Sequence, residues 1–351
     1  MPIWRSRTIV SPVVQTAVVT AVRRCIAVFC GVLALAAITS ACGSDPGNTR
    51  PGAAEPATAP ATTTTPTGTV RPVGSTPEGI VYDARSDLVA VAVRDPDRLL
   101  LLDPASFAVR RSVPLPGEVR HLQVGTDGSV LVPVESANQF VQVALPGGTV
   151  RATDVRKQPH DAAQTGNGDI VVGDEFGKSI SIVRDGRSIR TITDLTQPGG
   201  VVATGATSVA VVDVGAFTVS TYDLATFRRT ARVSAGSGPT HGALLSGDRI
   251  VVTDTRGDRV RIFSLSPLRE VASLRLPGTP YGLAVDRTTN TAWVTLTARN
   301  QLVGLDVSGT TPRVIARYPT VRQPNTVAVA PGATRLWVTG TADGVVQLIT
   351  R

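Results

Sequence analysis

Apolar and polar positions alternate in short runs along residues 238–278, and turn residues separate the runs. A small, apolar run at 242–246 is followed by a β-branched run at 249–255. Two further runs, 259–264 and 270–277, alternate with period two, and Gly–Asp or Arg–Gly–Asp sequences lie between the earlier runs. Period-two alternation is typical of strands that bury one face. The pattern therefore predicts four short strands in about forty residues.

The same unit recurs seven times along the chain. Each copy opens with an anchor residue, and the anchors are 39 to 44 residues apart. The anchors are Pro77, Val119, Pro159, Pro198, Pro239, Pro280 and Pro324. A β-rich second strand follows each anchor, as at 88–93 and 250–255. Seven such units predict an all-β fold, a seven-bladed β-propeller of four-stranded blades.

The repeat resembles that of the YVTN/NHL-type seven-bladed propellers. Their unit reads Pro-x-Gly-apolar, then a short first strand, an apolar second strand and a third strand that ends on aspartate. Residues 279–309 match it best, and the resemblance covers about residues 68–351. It implies the propeller fold, but the family includes binding proteins, scaffolds and a few lyases, so it does not select a function.

The seventh unit is incomplete, because the sequence given ends at 347–351 in its third strand. The segment 69–74 has strand character despite Pro72. We expect this N-terminal strand to pair as the outer strand of blade seven and to close the ring, since proline is tolerated on such an edge. The alternative is that 69–74 is only linker.

We predict that the N-terminal residues 1–41 are a lipoprotein signal peptide. An apolar run at 26–38 is followed by small residues and Cys42, a pattern similar to a bacterial lipobox. Four arginines precede the run: Arg5, Arg7, Arg23 and Arg24. Cys42 is the expected lipidation site, carrying fatty-acyl groups such as palmitate. This pattern indicates an exported lipoprotein of actinobacterial, mycobacterial type on the extracytoplasmic face of the cell membrane; the alternative is an uncleaved N-terminal anchor.

We predict that residues 42–67 form a disordered tether and that residues 68–351 form the propeller. The tether is rich in proline, alanine and threonine and has almost no large apolar residue. The formal charge of +8, less the four arginines of the signal, leaves +4. This modest charge does not favour nucleic acid as a partner. Two of the three cysteines, Cys25 and Cys30, leave with the signal, so no disulfide is expected. We expect a monomer.

The candidate chemistry lies at one end of the predicted channel. The chain has three histidines, His121, His160 and His241, and each falls within two residues after a blade anchor. We expect their imidazoles to point at the channel mouth. The same slots hold further ligand-binding candidates: Glu78, Arg120, Asp161, Tyr281 and Asn325. Carboxylates at the ends of four consecutive second strands are expected to ring the same face: Glu135, Asp174, Asp213 and Asp254.

Three interpretations of this face stay open. The three imidazoles could bind a divalent or other transition metal, although no metal-binding motif fixes their spacing and no cofactor is certain. The polar residues could instead bind a small ligand, an envelope glycan or a partner protein. They could also merely fill a wet channel. The sequence favours a non-enzymatic ligand- or protein-binding module; the alternative is a lyase-like enzyme that uses these histidines, with catalytic residues unassigned. Trp293 and Trp337 are expected to pack between blades.

Overall fold

The computed structural model describes residues 52–351 and confirms the all-β prediction. Seven four-stranded antiparallel sheets form a closed ring. The first strand, β1 (Thr69–Pro72), belongs to the last blade. Blades one to three comprise β2 (Ile80–Asp83), β3 (Leu88–Val93), β4 (Arg98–Leu102), β5 (Val109–Pro114); β6 (Gln123–Val124), β7 (Ser129–Val134), β8 (Gln139–Ala144), β9 (Thr149–Asp154); and β10 (Pro159–Gln164), β11 (Ile170–Asp174), β12 (Ser179–Arg184), β13 (Arg187–Ile192).

The remaining blades follow the same order from the channel outward. They comprise β14 (Pro198–Ala203), β15 (Ser208–Asp213), β16 (Thr218–Asp223), β17 (Arg228–Ser234); β18 (Pro239–Leu245), β19 (Arg249–Asp254), β20 (Arg259–Leu265), β21 (Leu268–Arg275); β22 (Pro280–Asp286), β23 (Thr291–Leu296), β24 (Gln301–Asp306), β25 (Arg313–Pro319); and β26 (Val327–Val329), β27 (Arg335–Gly340), β28 (Val345–Thr350). Short 3₁₀ turns occupy Glu135–Ala137, Thr297–Arg299 and Pro331–Ala333.

The core lies between neighbouring blades. Second strands such as β3 and β7 are buried at all six positions, because both of their faces are covered. Outer strands such as β5 are mostly exposed and contain more polar residues than the second strands. Trp293 and Trp337 are both fully buried in clusters that join two blades, which confirms their expected packing role. The core therefore accounts for the apolar second strands of every repeat.

The predicted ring closure is confirmed. Strand β1 pairs antiparallel with β28, in a register that sets Thr69 opposite Leu348 and Pro72 opposite Val345. Arg71 and Pro72 are exposed, so the proline lies on the free edge where its missing N–H costs nothing. The two ends of the propeller thus share one blade.

Replacing Gly68 with alanine should destabilise this closure. Gly68 precedes β1 with φ of +82°, and an added Cβ would overlap the carbonyl oxygen of Leu348. Gly168 is a matched control, since its φ is +92° but nothing lies within 4 Å of its added Cβ. We expect Gly68→Ala to lower the free energy of unfolding by about 3 kcal/mol and Gly168→Ala by about 1 kcal/mol, measured in urea. Equal losses would show that the overlap is relieved without cost.

Residues 52–67 lie along the ring without helix or strand. They belong to the predicted tether, residues 42–67, and they contact the propeller through Ala54 and Ala59, which are 8% and 2% exposed. The predicted signal peptide and Cys42 lie outside the described residues. Within 52–351, the chain forms no helix that is long and apolar enough to cross a membrane.

Candidate ligand-binding site at the channel mouth

Irregularities in the inner strands aim two of the histidines at the channel. In β10 the pairing with β11 skips from Pro159 to Asp161, so His160 is the unpaired residue. In β18 the pairing with β19 skips from Pro239 to Gly242, which leaves His241 unpaired in the same way. A β-bulge of this kind redirects a side chain out of the regular alternation. His121 lies just before the short inner strand β6, where pairing has not yet begun.

The structure brings all three histidines together. The ring of His121 lies between the other two, with centroid distances of 4.5 Å to His160 and 4.4 Å to His241. Nε2 of His121 is 3.1 Å from Nε2 of His241. One nitrogen of each ring lies within 4.8 Å of the others. The three histidine residues are 6% to 9% exposed. Blades two, three and five therefore converge at one point, although they are not all adjacent.

The outer nitrogens of two rings are held by protein oxygens. Nδ1 of His160 lies 2.7 Å from Oε1 of Glu135 and 3.2 Å from Oε2 of Glu175. Nδ1 of His241 lies 3.1 Å from the carbonyl oxygen of Tyr281, to which it donates. Because Nδ1 of His241 donates, its Nε2 carries the lone pair and can accept from Nε2 of His121 at 3.1 Å. In His160 the carboxylates hold Nδ1, so Nε2 is the nitrogen that could bind a metal. Metal-ligating histidines are typically oriented by this carboxylate or carbonyl contact.

The three imidazoles have different protonation behaviour. Burial lowers the pKa of His121 well below its usual value, and the adjacent His241 and His160 lower it further. Burial likewise lowers the pKa of His241 to about 3. Burial also disfavours the cation of His160, but the hydrogen bond to Glu135 and the charge of Glu175 outweigh it and raise its pKa. Two neutral rings thus lie beside one that carries a proton more readily.

The donor set fits a transition-metal ion. Two nitrogens bound to one tetrahedral zinc at about 2.0–2.1 Å would lie about 3.4 Å apart, and the His121–His241 pair is already at 3.1 Å. The three nitrogens all lie within 4.8 Å of one another, so His160 would have to move closer to the other two to share the ion. Imidazoles suit zinc, copper, nickel and iron. Three protein ligands would leave one coordination position for a ligand.

A polar network lies beside the histidines. Arg120 donates to the hydroxyl of Tyr281 at 3.2 Å and lies 3.7 Å from a carboxylate oxygen of Glu78. Glu78 also accepts from Arg94 at 2.9 Å and from Asn325 at 3.0 Å. The ring of Tyr281 meets that of His241 edge to face at 4.6 Å. Four of the sequence candidates, Glu78, Arg120, Tyr281 and Asn325, therefore form one side of the same site.

Asp161 lies on the channel side of the cluster. The channel encloses a cavity of about 350 Å³ whose lining includes Asp161, His121 and His241. Burial raises the pKa of Asp161 to about 6, although the N–H of Val201 and the amide of Gln123 donate to its carboxylate. The cavity thus gives a ligand access to two of the histidines and to a carboxyl group whose pKa burial raises.

Of the expected ring of carboxylates, only Glu135 reaches the histidines. Asp174 accepts from the hydroxyls of Ser179 and Ser181 inside its own blade. Asp213 accepts from three loop N–H groups, those of Thr196, Gln197 and Ala216. Asp254 binds the N–H groups of Ser237, Gly238 and Gly257 and the side chain of Arg261. Asp213 and Asp254 thus hold blade loops in place, and Asp174 ties together two strands of its own blade.

Sequence reasoning missed two parts of the site. Glu175 contacts His160 and accepts from Gln197 at 2.8 Å, yet it lies one residue beyond the strand-end position that was compared between blades. Residues 53–55 lie against His160 and His241 and leave only about 10 Å³ of space between them. A search for acidic residues next to the aligned strand-end position could have found Glu175. Nothing in the composition of 53–55 pointed to the site.

Known structures share the fold of this chain at low sequence identity. No protein-family model and no curated protein sequence matches the chain. Hydrazine synthase of Kuenenia stuttgartiensis is 15% identical over 79% of this chain and 96% of that chain, with a TM-score of 0.69. Virginiamycin B lyase from Staphylococcus aureus is 15% identical over 81% and 99%, with a TM-score of 0.68. A chain of a mitotic checkpoint complex is 14% identical over 87% and 99%, with a TM-score of 0.70.

A further match is a catalytically inactive histidine-to-alanine variant of virginiamycin B lyase with quinupristin. At these identities the likeness shows the fold alone. The chain is a β-propeller of the kind found both in lyases and in protein complexes.

Proposed function

We propose that this protein is a lipid-anchored binding protein outside the cytoplasmic membrane, whose channel mouth binds its ligand through a transition-metal ion held by His121, His160 and His241. The observation that carries the proposal is the convergence of all three histidines of the chain on one point. Two of them have their outer nitrogens fixed by protein oxygens. Such anchoring favours metal coordination because it fixes both the tautomer and the ring orientation.

The surroundings of the cluster suit a binding role. Two of the histidines, His121 and His241, border a cavity of about 350 Å³ in the channel. A metal with three histidine ligands would keep a position for an oxygen or nitrogen of a ligand that enters this cavity. A metal at Nε2 of His160 would compete with the second proton of the imidazolium, while Nδ1 keeps its proton beside Glu135 and Glu175, so metal binding should weaken in acid.

Elemental analysis of the full-length protein, purified without a histidine tag, tests the metal centre. We expect about one equivalent of a transition metal per chain after dialysis against zinc, and close to none for the variant with His121, His160 and His241 all changed to alanine. A folded wild-type protein that retains no metal, or a triple variant that retains as much, would overturn the proposal. Circular dichroism of both samples shows whether the ring has stayed folded.

Replacing Glu135 with glutamine should weaken metal binding by about 10-fold to 100-fold. The neutral amide keeps the size of the side chain but no longer offers a carboxylate to Nδ1 of His160. Competition titration with a zinc chelator measures the effect. Glu270→Gln is the matched control, because Glu270 lies in β21 and pairs with Arg261 away from the channel. An unchanged affinity in Glu135→Gln would mean that this contact does not orient a ligand.

Membrane attachment is tested separately at Cys42. We expect the wild-type protein in the membrane fraction of the producing bacterium and the Cys42→Ser protein largely released from it. Metabolic labelling with a palmitate analogue should mark the wild type only. Label on Cys42→Ser, or equal membrane retention without label, would contradict lipidation at this residue.

A lyase-like activity is the second candidate, and the contact of His160 with Glu135 and Glu175 favours it. A histidine with a carboxylate partner can move a proton near neutral pH. In an elimination that opens a lactone ring, a base removes a proton from carbon while the ring C–O bond breaks and the carboxylate leaves. Both parts stay in one molecule, so the product keeps the mass of the substrate. Incubation with quinupristin tests this: a new chromatographic species of unchanged mass, absent with His160→Ala, would support it. If quinupristin remains unreacted, this class of substrate is excluded.

A further inference from the structure

Side chains of the propeller form hydrogen bonds with the backbone of residues 57–60. The amide of Gln323 donates to the carbonyl oxygen of Ala57 at 2.9 Å and accepts from the N–H of Ala59 at 2.8 Å. The hydroxyl of Thr297 accepts from the N–H of Ala57 at 3.0 Å, and Asn300 donates to the carbonyl oxygen of Pro60 at 2.9 Å. Contacts to backbone atoms at alternate residues are how proteins read an extended peptide without regard to most of its side chains.

Residues preceding this stretch cover the histidines. Ala53 and Ala54 lie against Val214, Thr240 and His241, and Ala54 is 8% exposed. The carboxylate of Glu55 accepts from Arg120 at 3.0 Å, and Arg120 in turn contacts Tyr281. The segment 53–60 therefore offers this face small side chains and one carboxylate, beside an arginine that belongs to the candidate site.

We propose that the channel mouth is a binding surface for an extended, alanine- and proline-rich peptide with one carboxylate, and that residues 53–60 occupy it as a displaceable internal ligand. The inference rests on the binding role proposed above for this face but not on the metal. Gln323, Thr297 and Asn300 would read the peptide backbone, and Arg120 its carboxylate. Proline-rich peptides suit such a surface because they are already extended and lose little entropy on binding.

The segment has the features of a ligand rather than of a blade. It pairs with no strand, and apart from Ala54 and Ala59 its residues are exposed or only half-buried. Residues 61–65, which connect it toward β1, are exposed. Its attachment through that connection gives it an effective concentration of about millimolar, so a peptide in solution must compete with it.

Peptide binding to an opened variant tests the proposal. In the full-length chain, residues 53–60 are deleted, and a fluorescent peptide of sequence GAAEPATAPA is added. We expect the opened variant to bind this peptide at least tenfold more tightly than the wild type does. A peptide with glutamine in place of glutamate should bind up to fivefold more weakly. Gln323→Ala in the opened chain should cost at least tenfold, whereas Gln142→Ala, on the outer part of blade two, should cost nothing.

The outcomes separate this inference from the metal centre. A folded opened variant that binds no peptide at 1 mM overturns the peptide surface, whatever metal it retains. Peptide binding without metal supports the surface and rejects the metal centre. If the opened variant fails to fold, amide hydrogen exchange in Gln323→Ala replaces it. Faster exchange at Ala57 and Ala59, with the blades still protected, supports a displaceable segment; unchanged exchange there, or loss of protection throughout the ring, overturns it.

Discussion

When His241 is replaced with glutamine, the metal-free protein should lose less stability in acid. The fall in its free energy of unfolding between pH 7 and pH 4 should be smaller by about 3 kcal/mol. Burial lowers the pKa of His241 from 6.5 to about 3 in the folded protein. The unfolded chain therefore binds a proton on this residue between these two values while the folded chain does not. Stability from this residue is present above pH 6.5 and is lost as the pH falls toward 3. Glutamine does not titrate, so the variant lacks this loss.

Urea unfolding at pH 7 and pH 4, for wild type and variant, measures this change. The difference in unfolding free energy between the two proteins should shrink or reverse at pH 4. His160→Gln is a control with the opposite sign, because the pKa of His160 is raised when folded. Its stabilising contribution is fully present below pH 6.5 and is lost as the pH rises through the folded pKa. A pH-independent difference for His241→Gln would mean that its ring is hydrated in the folded state.

Replacing Trp337 with alanine should lower the free energy of unfolding by about 3–5 kcal/mol. The side chain is fully buried in the cluster that joins blade seven to blade one. It stacks on Tyr82 with a centroid distance of 4.7 Å, and its Nε1 donates to the carbonyl oxygen of Pro104 at 2.9 Å. The substitution removes apolar contact, leaves a cavity and leaves a buried carbonyl without its donor.

Phenylalanine variants at the two tryptophans separate these losses. Trp337→Phe keeps most of the ring but removes the donor to Pro104. Trp293 is equally buried, but within residues 52–351 its Nε1 has no acceptor. Trp337→Phe should therefore cost about 1–2 kcal/mol more than Trp293→Phe in urea unfolding. Equal costs would show that the hydrogen bond to Pro104 contributes nothing to stability.

Local pattern in the sequence was enough to predict the repeat, the closure and the placement of the histidines at one end of the channel, but not that their nitrogens meet. Each histidine occupies the slot after a blade anchor, and the symmetry of a ring brings equivalent slots together at one end of the channel. The pattern could not show that Pro159 and Pro239 begin bulges, which direct His160 and His241 inward. Nor could it show that loop N–H groups capture Asp213, since that depends on how each loop folds.

The contacts of residues 53–60 were beyond the reach of sequence reasoning for a different reason. Composition predicts disorder when a segment has too little apolar surface to bury. Ala57 and Ala59 are instead held by the amide of Gln323, more than 260 residues away along the chain. Hydrogen bonds between a backbone and a distant side chain leave no trace in hydrophobic periodicity.

The pairing of β1 with β28 sets the order in which this protein can mature. Thr69 lies opposite Leu348, so the first strand of the ring can pair only after the seventh blade has been synthesised. Contacts of such long sequence separation form late and slow folding. During synthesis, β1 therefore stays without its partner while blades one to six are made, and the ring closes last. Closure of the ring is thus coupled to synthesis of its seventh blade.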